Sequence, residues 1–323
     1  MKVREFADGI EIAQALLVRE IDVRRRRDGV ESVRLTLGDR SGTIPASVVD
    51  GVADAREICR AGEVAWFGAR CSVHPRQGRQ LAVHEIRPAR PGEYSREDLI
   101  DGPARAPDQM ETDLRELLGT IQNPHLRRLL GLVFRPGSSM WARYRDAPAA
   151  KYYHQAYRHG LLEHCLTVAQ AVSAISATFP GIDRDVAVTG ALLHDLGKLD
   201  AYDLDGDAIS MSDHGRLYGE IPLGYYLVRR LIERIDGFPA DLEQAVLHII
   251  LSHHGALEHG SPVVPCTREA TLVHMIDNLG GRLGSFDRLE RGLPAGEQWS
   301  AWDKALGGGA FFADRAEQER RAA

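Results

Sequence analysis

A chain of 323 residues is long for one hydrophobic core and comfortable for two domains. With 44% hydrophobic and 27% charged residues it has a globular composition, and no apolar run approaches the roughly 18 to 20 residues needed to cross a bilayer, so no membrane partner is expected. The net charge of −6 is unevenly split: residues 1–92 carry 16 basic and 13 acidic side chains and the remainder 24 and 33, which suits a nucleic-acid-binding front part or reflects incidental surface charge.

The opening Met1-Lys-Val-Arg-Glu-Phe-Ala-Asp has no apolar stretch of signal-peptide type, so no export is indicated. Cys59, Cys71, Cys165 and Cys266 show no C-x-x-C spacing, which fits reduced thiols and a cytoplasmic location.

From Ile10 to about Arg90 the pattern is β-rich. Ala13 to Val23 and Glu31 to Leu37 read as alternating strands around a polar turn, Arg24-Arg-Arg-Arg-Asp-Gly29. Gly38-Asp-Arg-Ser-Gly-Thr-Ile-Pro-Ala turns into a third strand, and a short helical insert follows near Val52 to Cys59. Strands from Glu63 and Gln80 complete five, the layout of a small Greek-key barrel of OB type. Arg24, Arg25, Arg26 and Arg27 then fall in the first hairpin loop, where they serve either as phosphate contacts or as a solvated turn. Trp66, Phe67 and His74 are the strand rings available for stacking, with core packing as the alternative for each.

The Pro/Gly-rich stretch 91–107 is the linker, giving an OB-fold nucleic-acid-binding domain at 1–90. From Asp108 the apolar period becomes helical, and Asn123-Pro124 stops one helix and starts the next. This all-α domain is expected over 108–290, followed by a C-terminal tail at 291–323 containing Gly307-Gly-Gly.

Within the helical part, Gly190-Ala-Leu-Leu-His-Asp-Leu-Gly-Lys198 is an apolar helix ending in polar groups. Imidazole and carboxylate suit zinc, iron, manganese and similar divalent ions, and neither is buried cheaply without a partner. His164, His253-His254 and Asp277 also lie at or near the ends of apolar helical patterns, so four helices could each bring one or two ligands to a common centre. Lys198, one turn after His194, lies on the ligand side as a cation beside the centre, or serves only the helix dipole.

These residues, in this order, resemble the HD-domain metal-dependent phosphohydrolases. Gly160-Leu-Leu-Glu-His164, Leu192-Leu-His-Asp-Leu-Gly-Lys198, Ile250-Leu-Ser-His-His-Gly255 and His274-Met-Ile-Asp-Asn278 are similar to the YhaM-type 3′–5′ exoribonucleases, which join an OB-fold to an HD domain. The resemblance implies a primary site of His164, His194, Asp195 and Asp277, and a second ion at His253 and His254. One position departs: where the family carries Leu-Gly-His, this chain has Tyr218-Gly-Glu220, which ligates through oxygen and favours a harder ion, or is a surface acid. His214 is a candidate to compensate. The segment from Asp146 to Gly160 resembles the family's site entrance, making Arg158 and His159 candidate phosphate contacts.

The implied function is a metal-dependent phosphodiesterase, with Lys198, His194 and Asp195 as the catalytic set, degrading single-stranded RNA, or single-stranded DNA, to mononucleotides. Manganese is the favoured ion, with magnesium, cobalt, iron and zinc as alternatives, in one or two copies. Two other readings stand beside it: an HD phosphohydrolase of nucleotides or cyclic nucleotides, and a nucleic-acid-binding protein with a weakened site. The sequence leaves open whether the chain forms a homo-oligomer.

Overall fold

The computed structural model describes residues 1–25, 31–48, 51–74, 78–100, 102–103, 105–151, 155–205, 208–293 and 296–313. The chain divides into two units, one of residues 1–101, 205–208 and 285–323, the other of 102–204 and 209–284.

In the first unit, β1 (Glu11–Arg25), β2 (Glu31–Asp39), β3 (Gly42–Val48), β4 (Val64–His74) and β5 (Gly78–Pro88) close a barrel in the order β1-β2-β3-β5-β4. Neighbours are antiparallel except β3 and β5, which run parallel. Alternation drives closure: in β3, Ile44, Ala46 and Val48 point inward while Pro45 and Ser47 face out. The inward set continues through Leu16, Val33, Leu35, Phe67, Leu81 and Val83, leaving no open edge. The expected helical insert is α1 (Val52–Ile58), whose Ala55 is fully buried. The five strands and their insert thus match the expected barrel.

Two ring assignments are resolved. Phe67 belongs to the barrel core, and Trp66 is half-buried beneath the Arg87 guanidinium, 4.2 Å from its ring centroid. Glu93 holds that guanidinium through two hydrogen bonds of 2.9 and 2.8 Å.

A short α2 (Arg96–Leu99) precedes the helical unit. Its helices begin with α3 (Pro107–Gly119), α4 (Pro124–Phe134), α5 (Ser139–Asp146), α6 (Gly160–Ser176), α7 (Arg184–Leu193) and α8 (Lys198–Ala201). A hairpin of β6 (Tyr202–Asp205) and β7 (Ala208–Met211) leads to α9 (Asp213–Tyr218), α10 (Glu220–Ile232), α11 (Ala240–Ser252) and α12 (Arg268–Gly292). The Asn123 carboxamide caps α4 by accepting from the amides of His125 and Leu126, with Pro124 at the first helical position.

Helices α6, α7 and α11 bury nearly continuous apolar faces in one core. Two glycine contacts bring the helices together. A β-carbon at Gly190 would lie 2.4 Å from Ile249 Cδ1, so α7 and α11 meet without a side chain between them. A β-carbon at Gly197 would lie 2.0 Å from the Glu220 carbonyl oxygen and 2.4 Å from the Gly224 amide, so the start of α10 presses against the turn after α7. No described helix is long and apolar enough to cross a membrane.

Within the C-terminal segment, residues 298–312 fold back on themselves. The amides of Phe312, Ser300 and Asp303 donate to the carbonyls of Gln298, Ala310 and Gly308 at 2.7, 2.9 and 2.9 Å.

Candidate metal centre

Helix ends deliver the polar groups. His164 lies one turn into α6, His194 and Asp195 follow the last residue of α7, and Glu220 opens α10. His253 and His254 follow α11, and Asp277 lies on α12. The six positions named from sequence, together with Glu220, therefore come to one place from five helices.

His164 Nε2 lies 3.2 Å from His194 Nε2, 3.3 Å from Asp195 Oδ2 and 3.1 Å from Asp277 Oδ1. His253 Nε2 faces Asp195 Oδ1 at 3.6 Å, and His254 Nε2 faces Glu220 Oε1 at 3.3 Å. Three ligand groupings result: His164 with His194 and Asp195, His194 with His253 and Asp277, and Glu220 with His253 and His254. The donor atoms of each grouping lie within 4.8 Å of one another. His194 is common to the first and second and His253 to the second and third, so the three groupings form one continuous cluster.

The ring orientations share one cause. His194 Nδ1 lies 2.7 Å from the Ala191 carbonyl, His253 Nδ1 2.8 Å from that of Ile250, and His254 Nδ1 2.9 Å from that of His259. His164 Nδ1 lies 3.1 Å from Gln155 Oε1. Each acceptor favours a proton on Nδ1, so Nε2 is the ring nitrogen turned toward the cluster.

The donor set fits a divalent cation. Asp195 Oδ1 and His253 Nε2 are buried and lack a hydrogen-bond partner, although groups of this kind are costly to bury unsatisfied. Asp195, Asp277 and Glu220 stand against the single ammonium of Lys198, whose Nζ donates to Asp195 Oδ2 at 2.7 Å. In the ion-free chain protons offset the excess negative charge. Burial opposes the imidazolium of His164, but hydrogen bonds to Asp195 and Asp277 prevail and raise its pKa to about 9. Burial likewise opposes a charged His254, yet the Glu220 carboxylate raises its pKa. His253, for which burial is the main influence, is held down and neutral. Burial works against the Asp195 carboxylate, but Lys198 and His194 keep it ionised well below the usual range.

Several residues were not named as site residues from sequence. Gln155 ties His164 to Glu163 through its amide, 3.5 Å from Glu163 Oε2, and Tyr157 donates to the same oxygen at 2.5 Å. Only Glu163, an acid next to a proposed ligand in an apolar helix, left any signal of this. His274 Nδ1 lies 2.7 Å from the His253 carbonyl. Its ring fills the space where a β-carbon on Gly255 would stand, 2.1 Å away.

Other candidates lie apart from the cluster. His214 is exposed and stacks on Tyr218 at 5.7 Å between centroids, so it does not compensate for Glu220. Arg158 pairs with Asp146 at 3.0 Å, and His159 Nδ1 lies 2.7 Å from the Arg145 carbonyl at the start of α6. Arg24 and Arg25 end β1, whereas Arg26 and Arg27 lie outside the described residues.

A closed five-stranded barrel joined to helices whose ends converge on histidines and aspartates defines a metal-dependent phosphohydrolase of the HD class, and the HD domain family model matches residues 161–281. The 3′-5′ exoribonuclease YhaM of Bacillus subtilis (strain 168) is 31% identical over 294 residues, 88% of this chain and 90% of its own. The protein of that name from Bacillus velezensis is 30% identical over 88% of this chain and 90% of its own, and that from Geobacillus sp. 28% over 90% and 88%. The chain belongs to the YhaM family of 3′-5′ exoribonucleases.

Proposed function

We propose that this protein is a metal-dependent 3′–5′ exoribonuclease that removes mononucleotides from single-stranded RNA, or from single-stranded DNA. The observation that carries the reading is the inward set of four imidazole Nε2 atoms beside buried carboxylates, two of whose donor atoms have no hydrogen-bond partner. The names of the relatives favour RNA over free nucleotides as substrate.

His164, His194, Asp195 and Asp277 hold the primary ion, and Glu220, His253 and His254 a second. A divalent cation held there supplies acidification of a water and polarisation of a phosphoryl oxygen. Manganese is the favoured ion, because Glu220 adds a hard oxygen donor to a mixed imidazole and carboxylate set. Lys198 is buried and stays protonated, since burial is overcome by Asp195 and Glu220. It spends one N–H on Asp195, which fixes that carboxylate, and has two more to offer a phosphate oxygen as charge accumulates there. The barrel retains the strand, with the Arg24 to Arg27 run and Arg158 meeting phosphates. His159, turned toward a carbonyl, shapes the entry to α6.

The test is single-stranded RNA labelled at either end and incubated with protein and manganese. The 3′ label should leave first as mononucleotide, while the 5′-labelled strand shortens progressively. Consumption of nucleotides with RNA intact, or a gel shift without products, would refute the reading; a chain carrying His194→Ala and Asp195→Ala controls for contamination.

A further inference from the structure

The unit that contains the barrel offers little aromatic surface on its strands. No described Phe, Tyr or Trp of the five strands is exposed: Phe67 is core and Trp66 lies under Arg87. The most exposed Phe, Tyr and Trp rings of that unit lie on the hairpin of residues 298–312, where Trp299, Trp302 and Phe311 are 62%, 69% and 50% exposed. Trp299 and Phe311 face each other across the ladder, their centroids 5.1 Å apart and their planes inclined at 50°. The other side of the hairpin turns inward: Ala310 is buried and Phe312 meets Phe286 edge to face.

The charges at the turn are sorted as well. The Asp303 carboxylate accepts from Arg288 at 2.5 Å and from the amides of Ala305 and Leu306 at 3.0 and 3.2 Å. That neutralises the acid beside the rings and leaves exposed Lys304 as the charge of the turn, while Glu297 stands at the open end of the hairpin. No exposed Leu, Ile, Val or Met lies among the described residues from 296 to 313, so the large apolar groups exposed there are aromatic and not aliphatic. A pair of adjoining rings and a third exposed ring, with a cation beside them, offer what unpaired bases and their phosphates require.

We propose that this hairpin is a binding site for single-stranded RNA, on which bases stack against Trp299, Trp302 and Phe311 and Lys304 meets a backbone phosphate. The identity of the ligand rests on the ribonuclease reading. The hairpin gives the barrel unit a stacking surface beyond the exposed imidazoles of its strands, such as that of His74 at the end of β4.

The full chain carrying His194→Ala, kept in chelator, binds without cutting and is titrated into a fluorescein-labelled 20-nucleotide RNA followed by anisotropy. Adding Trp299→Ala or Trp302→Ala should weaken binding about tenfold for each ring, and Phe at either position should restore most of it. RNA should quench tryptophan emission, and the two alanine changes together should remove the quenching, because Trp141 is buried and Trp66 covered. In the otherwise native, metal-loaded chain, the ring variants should hydrolyse bis(p-nitrophenyl) phosphate at the unaltered rate, since that substrate is too small to need the hairpin. Unchanged RNA affinity after ring removal overturns the assignment of the hairpin alone. So does a fall in sedimentation mass without a change in RNA affinity, which would mark a contact between copies. Failure of the chain with intact rings to bind RNA overturns the hairpin and the nuclease reading together.

Discussion

Asp195 has the most to lose at the scale of single residues, because it is buried, faces His253 with one oxygen and binds Lys198 with the other. Replacing it with Asn removes the hydrogen-bonded carboxylate from Lys198, while Glu220 and Asp277 still balance the ammonium's charge, so the stability cost should be about 1 to 3 kcal/mol, and RNA hydrolysis should fall by roughly a thousandfold. Chemical denaturation and a single-turnover assay would measure the two effects. His253 and His254 should differ: His253→Ala removes a donor from two ligand groupings and His254→Ala from one, so metal content measured on dialysed protein should fall further for the first. The raised pKa of His164 gives a pH signature. Below about 9 the ion-free imidazole carries a proton that a cation must displace, so metal affinity should climb between pH 7 and 9 by up to about tenfold per unit for each proton released. Calorimetry in buffers of different ionisation enthalpy counts those protons, and a pH-independent affinity would refute the account. The clustering of these histidines and acids was legible in the sequence because titratable groups within apolar helical patterns need a reason to be there. Gln155 was not, since a lone amide between two site elements carries no pattern of its own.

Helix packing sets where those side chains end, and its least tolerant contact is Gly197 against the start of α10. A methyl group at 197 meets main chain on two sides, so Gly197→Ala must push α10 away and take Glu220 with it. The expected result is a stability loss of about 1 to 3 kcal/mol and loss of the second ion, with the first retained; thermal melting and metal stoichiometry would show both. Glu220→His tests the same element from the other side, and should shift the preferred ion away from manganese toward zinc, read by competitive loading. At this scale the sequence was informative wherever periodicity and punctuation agreed. The strand alternation, the insert at α1 and the Asn123-Pro124 restart are all local signals. The closeness of α8 to α10 was not legible, because it depends on the pairing of Gly197 with Gly224 in space, and glycine spacing along the chain does not encode which helix lies opposite.

Across the whole molecule, the candidate ligands run from residue 164 to residue 277, so a bound ion would fasten together helices that are otherwise held by an apolar core and a few polar contacts such as Arg229 with Glu243. Chelation should therefore lower the thermal midpoint of the helical unit by several degrees, since an ion present at a hundred times its dissociation constant contributes about 2.7 kcal/mol. Scanning calorimetry with and without chelator measures this, and a midpoint indifferent to metal would contradict a ligand role for the cluster. The way the imidazoles are held also bears on how far the family can diverge. Three of the four accept their orientation from peptide carbonyls, at Ala191, Ile250 and His259, and every amino acid carries that oxygen. Neighbouring side chains can therefore drift freely without swinging a ring out of place, which suits a lineage whose members share only about three residues in ten with this chain. His164, steered by the replaceable amide of Gln155, is the one of the four whose aim evolution can retune with a single codon change.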